Sequence, residues 1–276
     1  GEFPQGDGTA HHNSKKDCLV YKIAWPTRNA SDAGAAMRRI GVPYTDAPAE
    51  NCGSLVWGTT LLPGKPASTC AFELHFVEGP NLAGADIAAS WERYFHNENA
   101  GMDKFNAFMH NTVAMYVPHV GPLVTALQAS GTAFMERRSY AGATEWHHVL
   151  VELGASGRVV ELIGRWDKQT ARVDIDAWGD HECAEAHAVK FDNTTLEAAY
   201  YGSAWGDEKV WQPMTVGLSI ASTEPLEAAR WFASRMPLTG ATITDVYEGG
   251  SCDVVTLGWT QAPMMSIRLV HNKAAP

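Results

Sequence analysis

The sequence predicts an α+β protein that uses one plan three times, a strand, a helix and three further strands, and three observations carry that prediction. Over 19–78, 105–165 and 214–272, an opening stretch of strand formers (20–27, 112–119 and 215–222) leads into a short helix-forming run. Each run stops at a glycine, Gly41, Gly131 or Gly240, with strand formers directly after it. Each unit closes on an apolar strand with a charged residue at its centre. Those residues, Glu73, Glu161 and Arg268, stand 32, 30 and 28 positions beyond the respective glycine. The 276 residues thus divide into a tail (1–17), a first module (18–80), a helical connector (81–104), a second module (105–165), a second connector (166–212) and a third module (213–276).

Taken in order, the tail is rich in Gly, Asn, Ser, Lys and His and is expected to be disordered. In the first module Ser31 and Asp32 are placed to cap a helix over 33–40 that Gly41 ends. The first connector carries an amphipathic pattern over 85–95 with Trp91, Tyr94 and Phe95 on one side. In the second module Pro122 suits a first helical position. The stretches 150–153 and 159–162, joined by turn formers at 154–157, make the clearest hairpin. The second connector is expected to hold a strand over 174–178 and a helix over 193–201. Its Trp178, Trp205 and Trp211 imply that it packs on the body and covers the open sheet of the third module. In the third module Thr223, Glu224 and Pro225 open a helix expected to carry Leu226, Ala229, Trp231, Phe232 and Met236 inward.

Composition narrows the function classes. With 21 basic and 31 acidic residues the net charge is −10, and no basic cluster stands out. That argues against nucleic acid and anionic membrane as partners. No apolar run approaches the length of a membrane span. The five cysteines, Cys18, Cys52, Cys70, Cys183 and Cys252, have no CxxC spacing, which speaks against a thiolate zinc site; Cys52 and Cys70 are placed so that they could pair. Two glycosylation sequons begin at Asn29 and Asn193. Gly1, Glu2 and Phe3 open the chain without an initiating Met, so both a cytoplasmic and a secreted protein stay open. Neither a Gly-x-Ser-x-Gly elbow nor a phosphate-cradling loop occurs.

The strand–helix–three-strand plan, the Val117 and Pro118 ending of an opening strand and the Glu-Leu pairs Glu73–Leu74 and Glu161–Leu162 resemble the vicinal oxygen chelate superfamily. That group includes glyoxalase I, bleomycin-resistance proteins and extradiol dioxygenases. The resemblance implies paired modules whose sheets curl into a cleft, here the first two, with metal ligands on the first and last strand of each module. Glu73 and Glu161 match the last-strand ligand position. Arg268 holds it in the third module, where a guanidinium cannot ligate a cation. The first-strand positions read Val20, Thr112 and Thr215. His110 and His75 share strand faces with Thr112 and Glu73. The implied set is therefore Glu73, His75, His110 and Glu161, suited to one zinc, iron, nickel or manganese ion, with Glu161 as catalytic base.

The residues themselves leave a second reading open, in which Glu73 and Glu161 are solvated or paired with Arg137, Arg158 or Arg268. Trp25, Trp57, Trp146 and Trp259, with Thr112, are candidates to line a ligand pocket, or to pack as core. Of His147 and His148, adjacent on one strand, a single member can face the cleft, and the other is expected at the surface. His181 and His187 fit a solvated helix face better than a metal motif, because Glu185 stands where a zinc helix needs its second His. The functional expectation is a divalent-metal lyase, isomerase or dioxygenase acting on a small oxygenated substrate. The alternatives are a metal-free protein that sequesters a small molecule, and a structural or interaction protein.

Overall fold

The computed structural model describes residues 22–27, 29–42, 44–49, 53–61, 71–77, 112–141, 144–154, 158–165, 193–203, 213–235, 240–250, 252–259 and 262–273. The expected elements at 85–95 and 174–178, with His110, Met236 and the cysteines other than Cys252, lie outside them. The described strands are β1 (Lys22–Pro26), β2 (Tyr44–Ala49), β3 (Gly53–Leu61), β4 (Ala71–Val77), β5 (Thr112–His119), β6 (Phe134–Ala141), β7 (Thr144–Glu152), β8 (Val159–Arg165), β9 (Met214–Ala221), β10 (Ala241–Glu248), β11 (Cys252–Trp259) and β12 (Ala262–Asn272). The described helices are α1 (Ala30–Arg39), α2 (Gly121–Ala129), α3 (Asn193–Ser203) and α4 (Pro225–Arg235). None of these helices is long and apolar enough to cross a membrane.

The result is a mixed α+β molecule around one large, mostly antiparallel sheet. In three places a strand leading into a helix pairs in parallel with the strand that closes its segment: β1 with β4, β5 with β8, and β9 with β12. The intervening strands pair antiparallel, as β2 with β3, β6 with β7 and β10 with β11.

How the segments join corrects the expected pairing. The second and third meet through antiparallel β5 and β9, with Thr112 opposite Ser219 and Ala114 opposite Gly217. The first segment touches β9 at a single pairing, Leu61 with Met214. The sheet face that unites two segments is therefore shared by the second and third, not by the first and second; it is the face opposite Met37, Leu127 and Ala229, called the concave face after the cleft that the sequence resemblance implies. The physical reason lies in the opening strands. β5 is buried along seven of its eight residues and β9 along its first six, so each needs a neighbour along its whole edge.

Two apolar cores lie on opposite faces of this sheet. On the helix side, Val113, Met115, Val160, Leu162, Leu218, Ile267 and Leu269 pack with Met37, Leu127 and Ala229 of three helices. On the other face, Tyr116, Trp146, Ile163, Met214 and Val216 pack with Leu196, Ala199 and Tyr200 of α3. Strand alternation sorts the side chains of β5, β8 and β9 between these two cores, and Cys252, Val254 and Val270 form a smaller cluster of their own.

Helix ends follow local chemistry. Asn29 caps α1, its Oδ1 accepting from the Asp32 N–H at 2.9 Å. The helix thus starts at Ala30, three residues ahead of the expected start at 33, and Asp32 becomes a first-turn acid. Gly41 and Gly131 end α1 and α2 at φ 84° and 64°, a region costly for other residues. In α4, Ala229 is fully buried and Leu226 and Phe232 pack on the core, whereas Trp231 is 55 % exposed. The expectation that Trp231 points inward fails because it lies about 200° around the helix from Ala229. Cys252, at the start of β11, is disulfide-bonded.

Candidate functional site

β8 places the central group. Val160 and Leu162 enter the helix-side core, so Glu161 between them projects onto the concave face, where it is 1 % exposed. β7 supplies its first partner by the same alternation. Val149 and Val151 face the helices, and His148 lies on the concave side, its Nδ1 2.7 Å from Glu161 Oε1. β12 supplies the second. Ile267 and Leu269 face the helices, and Arg268 reaches across β9 and β5 to set Nη2 3.6 Å from Glu161 Oε2. Ala114 and Gly217 stand opposite each other on the intervening strands, and a Cβ at Gly217 would meet Ser266 Oγ at 3.2 Å.

Arg268 registers with Ser219 on β9, and Ser219 registers with Thr112 on β5. His148, Glu161, Arg268, Ser219 and Thr112 are all buried. Burial alone would raise the Glu161 carboxyl. The His148 hydrogen bond and charge and the Arg268 guanidinium outweigh it and hold the group below the ordinary carboxylate range. Glu161 is therefore an ionised carboxylate in a dry setting, bonded through one oxygen and ion-paired through the other.

A second buried pair stands back to back with this one. His147 points to the opposite side of β7, and its Nε2 lies 2.9 Å from Glu136 Oε1 on β6, with both side chains at 0 % exposure. The surface position expected for one of the two adjacent histidines is thus corrected. Both are buried because both faces of β7 are covered, and each has its own carboxylate.

The remaining sequence candidates scatter. Glu73 and His75 meet each other on β4, Nε2 to Oε2 at 3.0 Å and partly exposed. They do not join Glu161. Along the sheet β4 is four strand positions from β8, roughly 19 Å at about 4.8 Å per spacing. Trp25 belongs to the helix-side core, tilted against Phe76 at 6.0 Å, with the Arg158 guanidinium 5.6 Å over its ring. Burial lowers that guanidinium to about 10. Trp259 is in the same core. Trp57 sits on β3 opposite His75, and its side chain lies outside the description. Trp146 is fully buried on the concave side, edge-on to Tyr116 at 6.4 Å. Burial and nearby acidic groups push the Tyr116 phenol well above its usual range, and burial lifts Tyr200 to about 12. Of the expected pocket residues, Thr112 borders the carboxylate patch, and Trp146 lies in the apolar half beside it.

Thr215 does not occupy the place of Thr112. A register shift between Ala114 and Met115 leaves Val216 without an opposite residue and sets Thr215 against Met115, which packs on the helix side. Ser219 takes the position facing Thr112 instead.

Among the described residues the donor set around Glu161 does not fit a divalent cation. Among the described residues no three His, Cys, Asp or Glu side chains converge, and Glu161 has His148 alone as a fellow donor. A doubly charged ion on Glu161 would also stand beside the Arg268 guanidinium. At about 4 Å and an effective dielectric near 20, that repulsion is on the order of 8 kcal/mol.

No family model matches the chain, and no curated protein matches it. Among solved structures it is similar to a glyoxalase I variant from Zea mays, at 9 % identity over 96 % of this chain and 73 % of that one, TM-score 0.46. It is similar also to a 4-hydroxymandelate synthase variant from Streptomyces coelicolor, at 8 % identity over 98 % and 76 %, TM-score 0.44. A methylmalonyl-CoA epimerase from Mycobacterium tuberculosis matches at 12 % identity over 60 % and 87 %, TM-score 0.34. At TM-scores below 0.5 and identities this low, the site of this chain has to be read from its own residues.

Proposed function

We propose that this chain is a metal-independent, glyoxalase-like protein, its three segments copies of one βαβββ module, that holds a small oxygenated molecule on the concave face shared by the second and third. The observation that carries the reading is the buried ion pair between Glu161 and Arg268. Both residues stand where the sequence resemblance puts last-strand metal ligands, and a guanidinium in one of those places supplies the positive charge itself.

Binding is favoured over proton abstraction by Glu161. A carboxylate held below its usual range is a weak base, and this one is hydrogen-bonded to His148 through Oε1 and stands in the field of the Arg268 guanidinium. What the patch supplies is fixed polarity in a water-poor setting: an anionic oxygen, a guanidinium and two hydroxyls beside an apolar wall of Tyr116, Ile163 and Trp146. Such a wall with a few convergent polar groups suits a compact molecule bearing hydroxyl or carbonyl oxygens. The disulfide at Cys252 supports an oxidising compartment as the place of action.

The test pairs metal analysis with a ligand screen. Purified protein is expected to carry no stoichiometric zinc, iron, nickel or manganese and to keep its melting temperature in chelator. Small hydroxy and carbonyl compounds should raise that temperature in the native chain and not in an Arg268→Met variant. Stoichiometric metal that disappears in Glu161→Gln would overturn the proposal, as would a screen in which no compound depends on Arg268.

A further inference from the structure

Among the polar atoms buried in this patch without a hydrogen-bond partner are Glu161 Oε2, with the Arg268 Nη2 nitrogen 3.6 Å away, and Ser219 Oγ. Glu161 and Ser219 are each 1 % exposed. Native interiors satisfy nearly all such groups, so two orphans on one patch point to an occupant that completes them. Both stand on the face that Arg268 spans: Ser219 lies beside Arg268 in register, and the Arg268 guanidinium extends to Glu161.

The chemistry of the two atoms selects the occupant. Glu161 Oε2 belongs to an ionised carboxylate and accepts only, so the occupant must donate to it. Ser219 Oγ carries one hydrogen and accepts as well, so it can donate back to the same group. An anionic oxygen would be repelled by the carboxylate, and an ammonium would stand beside the guanidinium. A neutral hydroxyl has the chemistry to donate to the one and accept from the other. We propose that the concave patch takes a neutral, hydroxyl-bearing small molecule whose hydroxyl donates to Glu161 Oε2 and accepts from Ser219 Oγ. This rests on the binding reading above and deepens it by naming the substrate class and adding Ser219 as a specificity residue. Thr112 stands opposite Ser219 in register, and its hydroxyl offers a second contact for a neighbouring ligand oxygen.

The probe is hydroxyacetone, compared with acetone, which lacks the hydroxyl, on the full chain. Titration calorimetry and thermal shift read the native protein and the Ser219→Ala variant, a substitution that removes one buried oxygen and no packing carbon. Hydroxyacetone is expected to bind and acetone to bind at least tenfold more weakly. Ser219→Ala should weaken hydroxyacetone by about three- to tenfold, the size of one neutral hydrogen bond, and leave acetone unchanged. Equal binding of the two compounds, or a Ser219→Ala variant that binds hydroxyacetone as the native chain does, overturns the inference while Arg268-dependent ligands keep the broader reading alive. A lowered melting temperature in Ser219→Ala with no response to hydroxyacetone identifies bound water only, and overturns it too. A raised melting temperature with no response shows an unused hydroxyl and has the same consequence.

Discussion

Replacing Arg268 by Met should expose what the concave patch costs and what holds it together. The substitution keeps an unbranched apolar stem and removes the guanidinium from a position 3.6 Å from a carboxylate that is 1 % exposed. At that separation and an effective dielectric near 20 the lost attraction is about 5 kcal/mol. Removing one partner of a buried pair destabilises by roughly 3–5 kcal/mol in practice, because the remaining charge stays desolvated. Urea unfolding followed by tryptophan fluorescence should therefore show a loss of about 4 kcal/mol at neutral pH, and thermal scans a drop of roughly 10 °C.

The sign of the pH dependence should also invert. In the native chain the folded carboxyl of Glu161 lies below its unfolded value, so its contribution is present above the ordinary glutamate range and is lost as pH falls through the folded value. Without Arg268, burial opposes a single partner, His148, and the folded value rises. The variant then gains stability relative to the native chain as acid protonates Glu161, and the gap between them narrows toward about pH 4. Adding Glu161→Gln should recover most of the loss, since a neutral amide needs no counter-charge. A loss below about 1 kcal/mol, or a gap that stays constant with pH, would refute a desolvated ion pair here.

On the helix side, His147→Leu should cost about 3 kcal/mol by removing a buried partner of Glu136, and the His147→Leu, Glu136→Leu double variant should recover part of it; a double-mutant cycle in urea reads the coupling. Trp146→Ala should cost about 3–5 kcal/mol, because a fully buried indole leaves a cavity. Trp231→Ala, at 55 % exposure, should change stability by no more than about 0.5 kcal/mol, and equal losses at the two sites would contradict the assigned faces of the structure. Reduction, or Cys252→Ser, should lower unfolding stability by about 2–4 kcal/mol, read as a reducing-agent-dependent melting temperature that the variant no longer shows.

Much of the architecture was legible because it rests on short-range physics. The glycines that end α1 and α2 need positive φ, and the apolar runs of β5, β8 and β12 announce strands covered on both faces. Glu161 and Arg268 were visible as charges in the middle of such runs, where a charge needs a partner. His148 was visible only as half of an adjacent pair, since alternation says that two neighbours oppose each other but not that both faces are covered. Ser219 gave no signal, as one more small residue in an apolar strand.

The strands, most helix ends and the presence of charged groups inside the sheet follow from the order of residues, because dihedral preference and alternation act within a few positions. Which segments share a face is a different matter. The pairing of β5 with β9 sets the second and third segments against each other, and the bulge at Val216 turns Thr215 away and presents Ser219. Arg268 thereby meets Glu161 across more than 100 positions of chain, while Glu73 and His75 meet on β4. Strand edges of similar apolarity compete for the same neighbour, and the energy that decides among them is packing over whole faces, which only the assembled sheet contains.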